Sequence, residues 1–174
     1  VRVAYSDINY KDALAATGKG RILRESPLNG GIDVAGYVAA STDPAFKEGD
    51  QVLCTGSGLS ETRDGGYAEY ARLQAKWTIP LPAGLTLRES MILGTAGFTA
   101  GLSLYRMQQN GQCPEMGPIV VTGATGGVGS LAIDMLTSAG YEAHAISGKL
   151  EHFDDLIALG AKQCISHKDL YWGQ

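Results

Sequence analysis

The chain has 174 residues, of which 44% are hydrophobic and 18% charged, an ordinary composition for a globular protein. Its formal net charge of −4 argues against nucleic acid or an anionic membrane surface as the main partner. No apolar run approaches the length of a membrane span. Glycine is in excess, with 24 residues between apolar segments, and this predicts many turns and close backbone contacts.

The three cysteines, Cys54, Cys113 and Cys164, lie far apart in the sequence and form no Cys-x-x-Cys pair. This spacing excludes a disulfide scaffold and a four-cysteine zinc site built from this chain. We therefore expect reduced thiols in a cytoplasmic protein.

The first part of the chain is rich in predicted strands and turns. Short strands are predicted at 1–5, 32–38 and 51–54, separated by glycine, proline and aspartate turn signals, as in a small barrel or sandwich. Thr86 and Glu89 then form a capping-box pattern, which predicts a mostly helical stretch to about residue 109.

From Ile119 the sequence alternates between predicted strands and helices. The first strand, 119–121, is wholly apolar, as is typical of a parallel sheet covered on both faces. Apolar residues at helical spacing follow from Val128 to Ala139, and then come a strand at 141–146, a helix ending at Gly160 and a strand at 163–165. This order predicts the first half of a doubly wound nucleotide-binding domain.

A glycine-rich loop joins the first of these strands to its helix, which is the context that a dinucleotide-binding motif requires. We expect Gly123 to permit a tight turn, Gly126 and Gly127 to let a pyrophosphate approach the backbone, and Gly129 to allow close packing of helix on strand. The free amides of the first helical turn would then receive the phosphate charge. The structural alternative is a glycine-rich turn without a ligand.

The second strand of this region ends in Ser147-Gly148-Lys149 and carries no acidic residue there. NAD-selective sites usually place Asp or Glu at this position to bind the ribose 2′-hydroxyl. A hydroxyl and an ammonium group suit a 2′-phosphate instead, so the sequence favours NADPH over NADH. The alternative for Lys149 is a solvated residue at the start of a helix.

Several segments in family order resemble the zinc-free quinone oxidoreductase branch of the medium-chain dehydrogenase/reductase superfamily, and within it the acryloyl-CoA reductase subgroup. Besides the glycine-rich loop, they are NYKDAL at 9–14, TGKG at 17–20, GIDVAG at 31–36 and GTAGFTA at 94–100. The resemblance implies an α/β plus β fold, with a GroES-like β-rich domain followed by the first half of a Rossmann doubly wound parallel sheet. It also implies an active site between the two domains.

On this resemblance we expect a GroES-like substrate-side domain at 1–88, a helical inter-domain connection at 89–118 and a partial Rossmann domain at 119–174. The family pattern also implies that the chain is truncated at both ends. Without its later strands the sheet would leave one edge of the 119–121 strand unpaired. We therefore expect copies of the chain to associate as a homo-oligomer.

The resemblance also bears on metal. Zinc-dependent members supply a cysteine and a histidine where this chain has Asn9 and Ile32, which cannot complete a tetrahedral zinc site. Without zinc, the implied reaction is hydride transfer from NADPH to a small, already electron-poor molecule, such as a quinone, an enone or acryloyl-CoA. The alternative function is a catalytically impaired, nucleotide-binding relative that acts as a binding or interaction protein.

The family pattern assigns roles to individual residues. It implies that Asn9 orients groups around the substrate, that Tyr10 contacts the cofactor, and that Asp12 holds neighbouring side chains, with a structural carboxylate at a helix start as the alternative for Asp12. For Lys11 a solvated side chain is favoured over a proton donor, and for Tyr67 a packing role is favoured. The implied cofactor contacts are Tyr10, Thr95, Thr99, Gly123, Thr125, Gly126, Gly127, Val128, Gly129, Ser147, Gly148 and Lys149.

Overall fold

The computed structural model describes residues 1–170 and divides the chain into two units, one from Val1 to Thr95 and one that begins at Ala96. Helix α2, at Leu87–Gln109, contains the boundary between them. It begins with the predicted capping box, in which the Thr86 amide donates to Glu89 Oε2 at 2.8 Å and the Glu89 amide donates to Thr86 Oγ1 at 3.2 Å. Gly94 interrupts this helix with a non-helical backbone at φ 47° and ψ −153°.

The first unit is built on a four-stranded antiparallel sheet, which confirms the predicted β-rich region. The strands follow the sheet order β1 (Arg2–Tyr5), β2 (Asp33–Tyr37), β3 (Gln51–Thr55) and β4 (Ile79–Pro80). Between β1 and β2 the chain forms helix α1, at Tyr10–Thr17, and Gly18 ends it in the left-handed conformation.

Strand β2 is buried on both faces, and this fixes the position of its first residue, Asp33. Val34 packs in one cluster with Cys54, while Ala35 packs on the other side with Leu87. Gly36 allows β1 to pair closely with β2, because a Cβ there would lie 2.1 Å from the carbonyl oxygen of Arg2. Asp33 is therefore held at the start of a strand that cannot shift.

The second unit contains a three-stranded parallel sheet in the order β5 (Ile119–Thr122), β6 (Ala143–Ser147) and β7 (Gln163–Ser166). Helices α3 (Gly127–Ser138) and α4 (Phe153–Ala158) connect the strands, and this alternation confirms the predicted partial Rossmann sheet. Strand β6 begins later than predicted, because Tyr141 is buried and its hydroxyl donates to the Gln112 carbonyl at 2.9 Å.

The core of the second unit lies between α3, α4 and the parallel sheet. Ile133 and Leu136 from α3 and Leu156 from α4 pack against Ala143 and Ala145 of β6. Among the described strands, β5 lies at one edge of this sheet, and Val120 is 54% exposed. Within residues 1–170, no helix is long and apolar enough to span a membrane.

Candidate nucleotide and substrate sites

The start of helix α1 is tied to the start of β2 by the buried carboxyl group of Asp12. The Asn9 amide donates to Asp12 Oδ2 at 2.9 Å, and the amides of Gly31 and Ile32 donate to Oδ1, each at 3.1 Å. These three donors are backbone amides that fix the start of α1, so a structural role for Asp12 is favoured over a direct part in proton transfer.

The next two residues of α1 differ sharply in their surroundings. Tyr10 is 80% exposed, so its ring is accessible to a ligand. The Lys11 ammonium group forms an ion pair with the Glu61 carboxylate. This pair gives Lys11 a structural partner, which argues against Lys11 as a proton donor.

Four side chains next to α1 form a hydrogen-bonded group, which we call the carboxyl network: Asp7, Asn9, Asp33 and Thr95. The Asn9 amide nitrogen Nδ2 donates to Asp7 Oδ1 at 2.7 Å and to Asp33 Oδ2 at 2.8 Å. The Thr95 hydroxyl donates to Asp33 Oδ1 at 2.7 Å, and the Thr95 amide donates to Asp33 Oδ2 at 3.0 Å. Asp7 and Asp33 thus share the donors of one amide, and the two donors of Thr95 both go to Asp33.

The carboxyl network changes the proton affinity of Asp7. Burial raises the pKa of the Asp7 carboxyl to about 7, and the hydrogen bond to Asp33 and the charges of Asp33 and Asp12 add to this effect. The Asn9 amide opposes the shift by donating a hydrogen bond. Asp7 is therefore poised to titrate near neutral pH.

Tyr67 packs against this region through two glycines, as predicted for it. A Cβ at Gly30 or Gly31 would lie 2.8 or 2.7 Å from the Tyr67 ring, so the ring needs both glycines. The Tyr67 hydroxyl donates to the Asp7 carbonyl at 2.9 Å. Burial and the nearby carboxylates, first among them Asp12, raise the pKa of Tyr67 to about 12, so the phenol remains neutral.

In the second unit, the glycine-rich loop has the geometry of a phosphate cradle. Gly123 turns the chain at φ +60°, and the Gly126 amide donates to the Gly123 carbonyl at 2.9 Å. Helix α3 follows directly, and its first residues, Gly127 and Val128, are exposed. Their amides lack intrahelical partners and are available to an anion.

Gly129 is the residue on which this loop depends. It is buried, and a Cβ there would lie 2.4 Å from the Gly123 carbonyl oxygen and 2.8 Å from the Ala124 Cα. Both atoms belong to the backbone, so no side-chain movement could make room. The predicted close packing of helix on strand is present at this position.

The end of β6 lies beside the same loop. The Thr125 and Ser147 hydroxyl oxygens are 3.2 Å apart, and the Lys149 amide donates to Ser147 Oγ at 3.1 Å. Gly148 lies against the ring of His167, which a Cβ would approach to 2.5 Å. The sequence did not predict the contact between His167 and Gly148, because only the parallel order of β6 and β7 brings the two strand ends together.

The sequence is similar to a known domain family and to several oxidoreductase sequences. Residues 1–83 match the alcohol dehydrogenase GroES-like domain. YhfP of Bacillus subtilis, which bears the name of a quinone oxidoreductase, is 53% identical over 99% of this chain and 52% of its own length. AcuI of Escherichia coli, which bears the name of an acrylyl-CoA reductase, is 48% identical over 95% of this chain and 51% of its own length.

Solved structures agree with these matches. The yhdH oxidoreductase of Salmonella enterica in complex with NADP covers the whole chain at a TM-score of 0.97 and 48% identity, with 54% of that structure matched. B. subtilis yhfP with NAD bound covers 98% of the chain at a TM-score of 0.91 and 51% identity, with 52% of that structure matched. The chain belongs to the medium-chain dehydrogenase/reductase superfamily. It spans about half the length of the superfamily relatives it matches.

At the positions where zinc-dependent members of the superfamily carry metal ligands, this chain has no suitable donors. Both N–H groups of the Asn9 amide are directed at carboxyl oxygens, and Ile32 is an apolar residue that is 3% exposed. Within residues 1–170, no group of three or more His, Cys, Asp or Glu side chains could hold a metal ion.

The two threonines that the superfamily pattern assigned to the cofactor have different surroundings. Thr95 uses its hydroxyl and its amide on Asp33 and thereby belongs to the carboxyl network. Thr99 is exposed, and its carbonyl accepts a hydrogen bond from Ser103 Oγ at 2.8 Å. Their contacts with a cofactor stay a prediction, as do those of Tyr10.

Sequence reasoning also missed the two acidic members of the carboxyl network. Asp33 stands in the Gly-Ile-Asp motif, so its place in that motif was an available signal. Asp7 had no such signal, because only the folded chain brings it to Asn9 and Asp33.

Proposed function

We propose that this chain is part of an NADPH-dependent, zinc-independent oxidoreductase that reduces a small electron-poor acceptor. The observation that carries the proposal is the cradle formed by the Gly123–Gly129 turn, the exposed first amides of α3 and the Ser147-Gly148-Lys149 segment. A bound pyrophosphate would accept hydrogen bonds from the amides of Gly127 and Val128. The 2′-phosphate would lie at Ser147 and Lys149.

The acceptor class follows from the side chains of Asn9 and Ile32, which cannot hold a zinc ion that would polarise a carbonyl group. When bound, the nicotinamide supplies a hydride. A carbonyl that no metal polarises is a poor acceptor at neutral pH, so we propose an acceptor that is already activated, as in a quinone, an enone or an acryloyl thioester. The names of YhfP and AcuI support this class.

The residues of the first unit would serve the acceptor side. Tyr10 offers an accessible ring, and Asn9 offers an amide fixed by two carboxyl groups. The second candidate function is nucleotide binding without turnover.

NADPH consumption with 1,4-benzoquinone and with acryloyl-CoA, measured beside NADPH binding, separates the two candidates. Turnover with either acceptor supports the reductase. Tight NADPH binding without turnover in the full-length protein favours the binding protein.

Replacing Lys149 by alanine tests the nucleotide preference. We expect the wild-type chain to bind NADPH more tightly than NADH, because one charge-assisted contact to phosphate contributes roughly 1.5–3 kcal/mol, equivalent to tenfold or more in affinity. Fluorescence titration should show that Lys149→Ala weakens NADPH binding by about this factor and leaves NADH binding unchanged. Lys162→Ala removes an exposed lysine of the same unit and should change neither. Equal wild-type affinities for the two nucleotides would contradict the proposed preference.

Zinc independence is tested by elemental analysis. Since Asn9 and Ile32 cannot act as ligands, we expect far less than one zinc ion per chain after dialysis, and no change in thermal unfolding when a chelator is added. One tightly bound zinc ion per chain, together with chelator-induced unfolding, would show that the metal-free assignment is wrong.

A further inference from the structure

Asp33 is a buried carboxyl group with an unusually complete set of donors. It is 0% exposed, and its oxygens accept hydrogen bonds from the Asn9 amide nitrogen, the Thr95 amide and the Thr95 hydroxyl. Three donated hydrogen bonds suit an ionised carboxylate, because each one stabilises its negative charge.

Asp7 faces Asp33 with far fewer donors. Its Oδ1 accepts from Asn9 Nδ2 at 2.7 Å, and the same nitrogen donates to Asp33 Oδ2 at 2.8 Å, so the two carboxyl groups lie close together. Its Oδ2 lies next to the Cα of Gly94, since a Cβ there would approach it to 2.2 Å. Two carboxyl groups can form a hydrogen bond only when one of them carries a proton.

We propose that Asp7 and Asp33 hold one proton between them near neutral pH, and that this proton-bearing pair positions the amide of Asn9. Asp7 donates the proton towards Asp33, and each carboxyl group accepts one N–H of Asn9. Both N–H groups are thereby used, and the side-chain oxygen of Asn9 faces the backbone N–H of Asp12 in the capping box of α1.

This positioning has a consequence for recognition, which rests on the proposed function. Because both of its N–H groups are engaged by carboxyl oxygens, Asn9 has none left to stabilise a developing oxyanion on a ligand. The shared proton itself does not depend on nucleotide binding.

The charged surroundings explain why loss of the proton would disturb the site. Within residues 1–170, the groups recorded as acting on Asp7 are Asp33, Asp12 and Asn9, and none is a cation. Tyr67 faces the same carboxyl groups, but its raised pKa keeps it neutral. Lys11, the nearest lysine in the sequence, is paired with Glu61. Deprotonation would therefore leave like charges in contact and weaken the hold on Asn9.

The raised pKa of Asp7 also predicts how the stability of the folded chain changes with pH. The pKa of Asp7 is raised from 3.8 to about 7 in the folded protein. Between these values the folded chain retains a proton that the unfolded chain releases, so the contribution of Asp7 to stability falls as pH rises through this window. Above about pH 7 this dependence ends, because both states are deprotonated.

The direct test is an NMR titration of the ligand-free chain, labelled with carbon-13 at the aspartate carboxyl groups, from about pH 5 to about pH 9. We expect the carboxyl resonance of Asp7 to move in a transition near neutral pH. An Asp7 transition that is complete below about pH 5 would overturn the proposal.

Two variants test whether the pair positions Asn9. Asp7→Asn mimics the protonated state, because its carbonyl can accept from Asn9 and its amide can donate to Asp33. Side-chain amide exchange of Asn9 should then stay slow above the transition, whereas in Asp7→Ala it should be at least about tenfold faster at the same pH. Equally fast exchange in both variants would refute the positioning role.

A control variant and a nucleotide-free sample separate the effect of Asp7 from other causes. Asp134→Asn makes the same substitution at an exposed aspartate and should leave the transition and the exchange unchanged. If Asp7→Ala does not fold, the wild-type titration and Asp7→Asn still decide the question. Since no nucleotide is present, a failure of the proposed function leaves these measurements unaffected.

Discussion

Replacing Gly129 by alanine should destabilise the second unit and weaken NADPH binding together. The new Cβ would lie 2.4 Å from the Gly123 carbonyl oxygen and 2.8 Å from the Ala124 Cα, so the loop backbone must move. We expect a loss of about 1–3 kcal/mol in the free energy of unfolding, as is usual for overpacking. We also expect at least a tenfold loss of NADPH affinity, because the displaced turn presents the amides of α3.

Gly101→Ala is the matched control, since it makes the same change inside helix α2. Its Cβ would meet only the sulfur of Met135, at 3.9 Å, which is ordinary contact. Alanine is the better helix former by about 0.5–1 kcal/mol, so this variant should be slightly more stable and should bind NADPH as the wild type does. Thermal unfolding and fluorescence titration measure both quantities. A Gly129→Ala variant with wild-type stability and affinity would show that the tight packing is not required.

The sequence predicted the second unit well, because its local signals agree with its tertiary structure. The apolar strand at 119–121, the glycine-rich loop and the helical spacing from Val128 all describe one strand–helix step. The predicted start of strand β6 is less accurate. Tyr141 looked like part of a strand because of its hydrophobicity, but it is buried in the core ahead of β6.

The first unit was predicted less completely, because its site depends on contacts between distant residues. The motif around Asn9 was recognised, and so was the possible structural role of Asp12. The partners of Asn9 were not, since Asp33 lies 24 residues away along the chain and Thr95 lies 62 residues beyond Asp33. No local pattern can show that two aspartates share the donors of one amide.

Gly94→Ala should also destabilise the chain, through the carboxyl network. The residue has φ +47° and ψ −153°, a backbone region that is essentially restricted to glycine and costs another residue about 1–3 kcal/mol. Its Cβ would lie 2.2 Å from Asp7 Oδ2 and 3.0 Å from Asp33 Oδ2, so the Asp7 carboxyl group must leave its place. We expect a total loss of about 2–4 kcal/mol in the free energy of unfolding, measured by denaturant titration.

Gly56→Ala separates the backbone term from the steric one. Gly56 has φ +58° and no heavy atom within 4 Å of a Cβ, so only the backbone cost of about 1–2 kcal/mol should appear. A second comparison isolates Asp7. In an Asp7→Ala background the 2.2 Å conflict is removed and the 3.0 Å approach to Asp33 Oδ2 remains, so Gly94→Ala should cost less than in the wild type, by a coupling of about 1–3 kcal/mol. If Gly94→Ala lowers the free energy of unfolding equally in the wild type and in the Asp7→Ala background, Asp7 does not occupy the space beside Gly94. Because Asn9 is held by the same carboxyl groups, a measured coupling would also link the backbone at Gly94 to the position of Asn9.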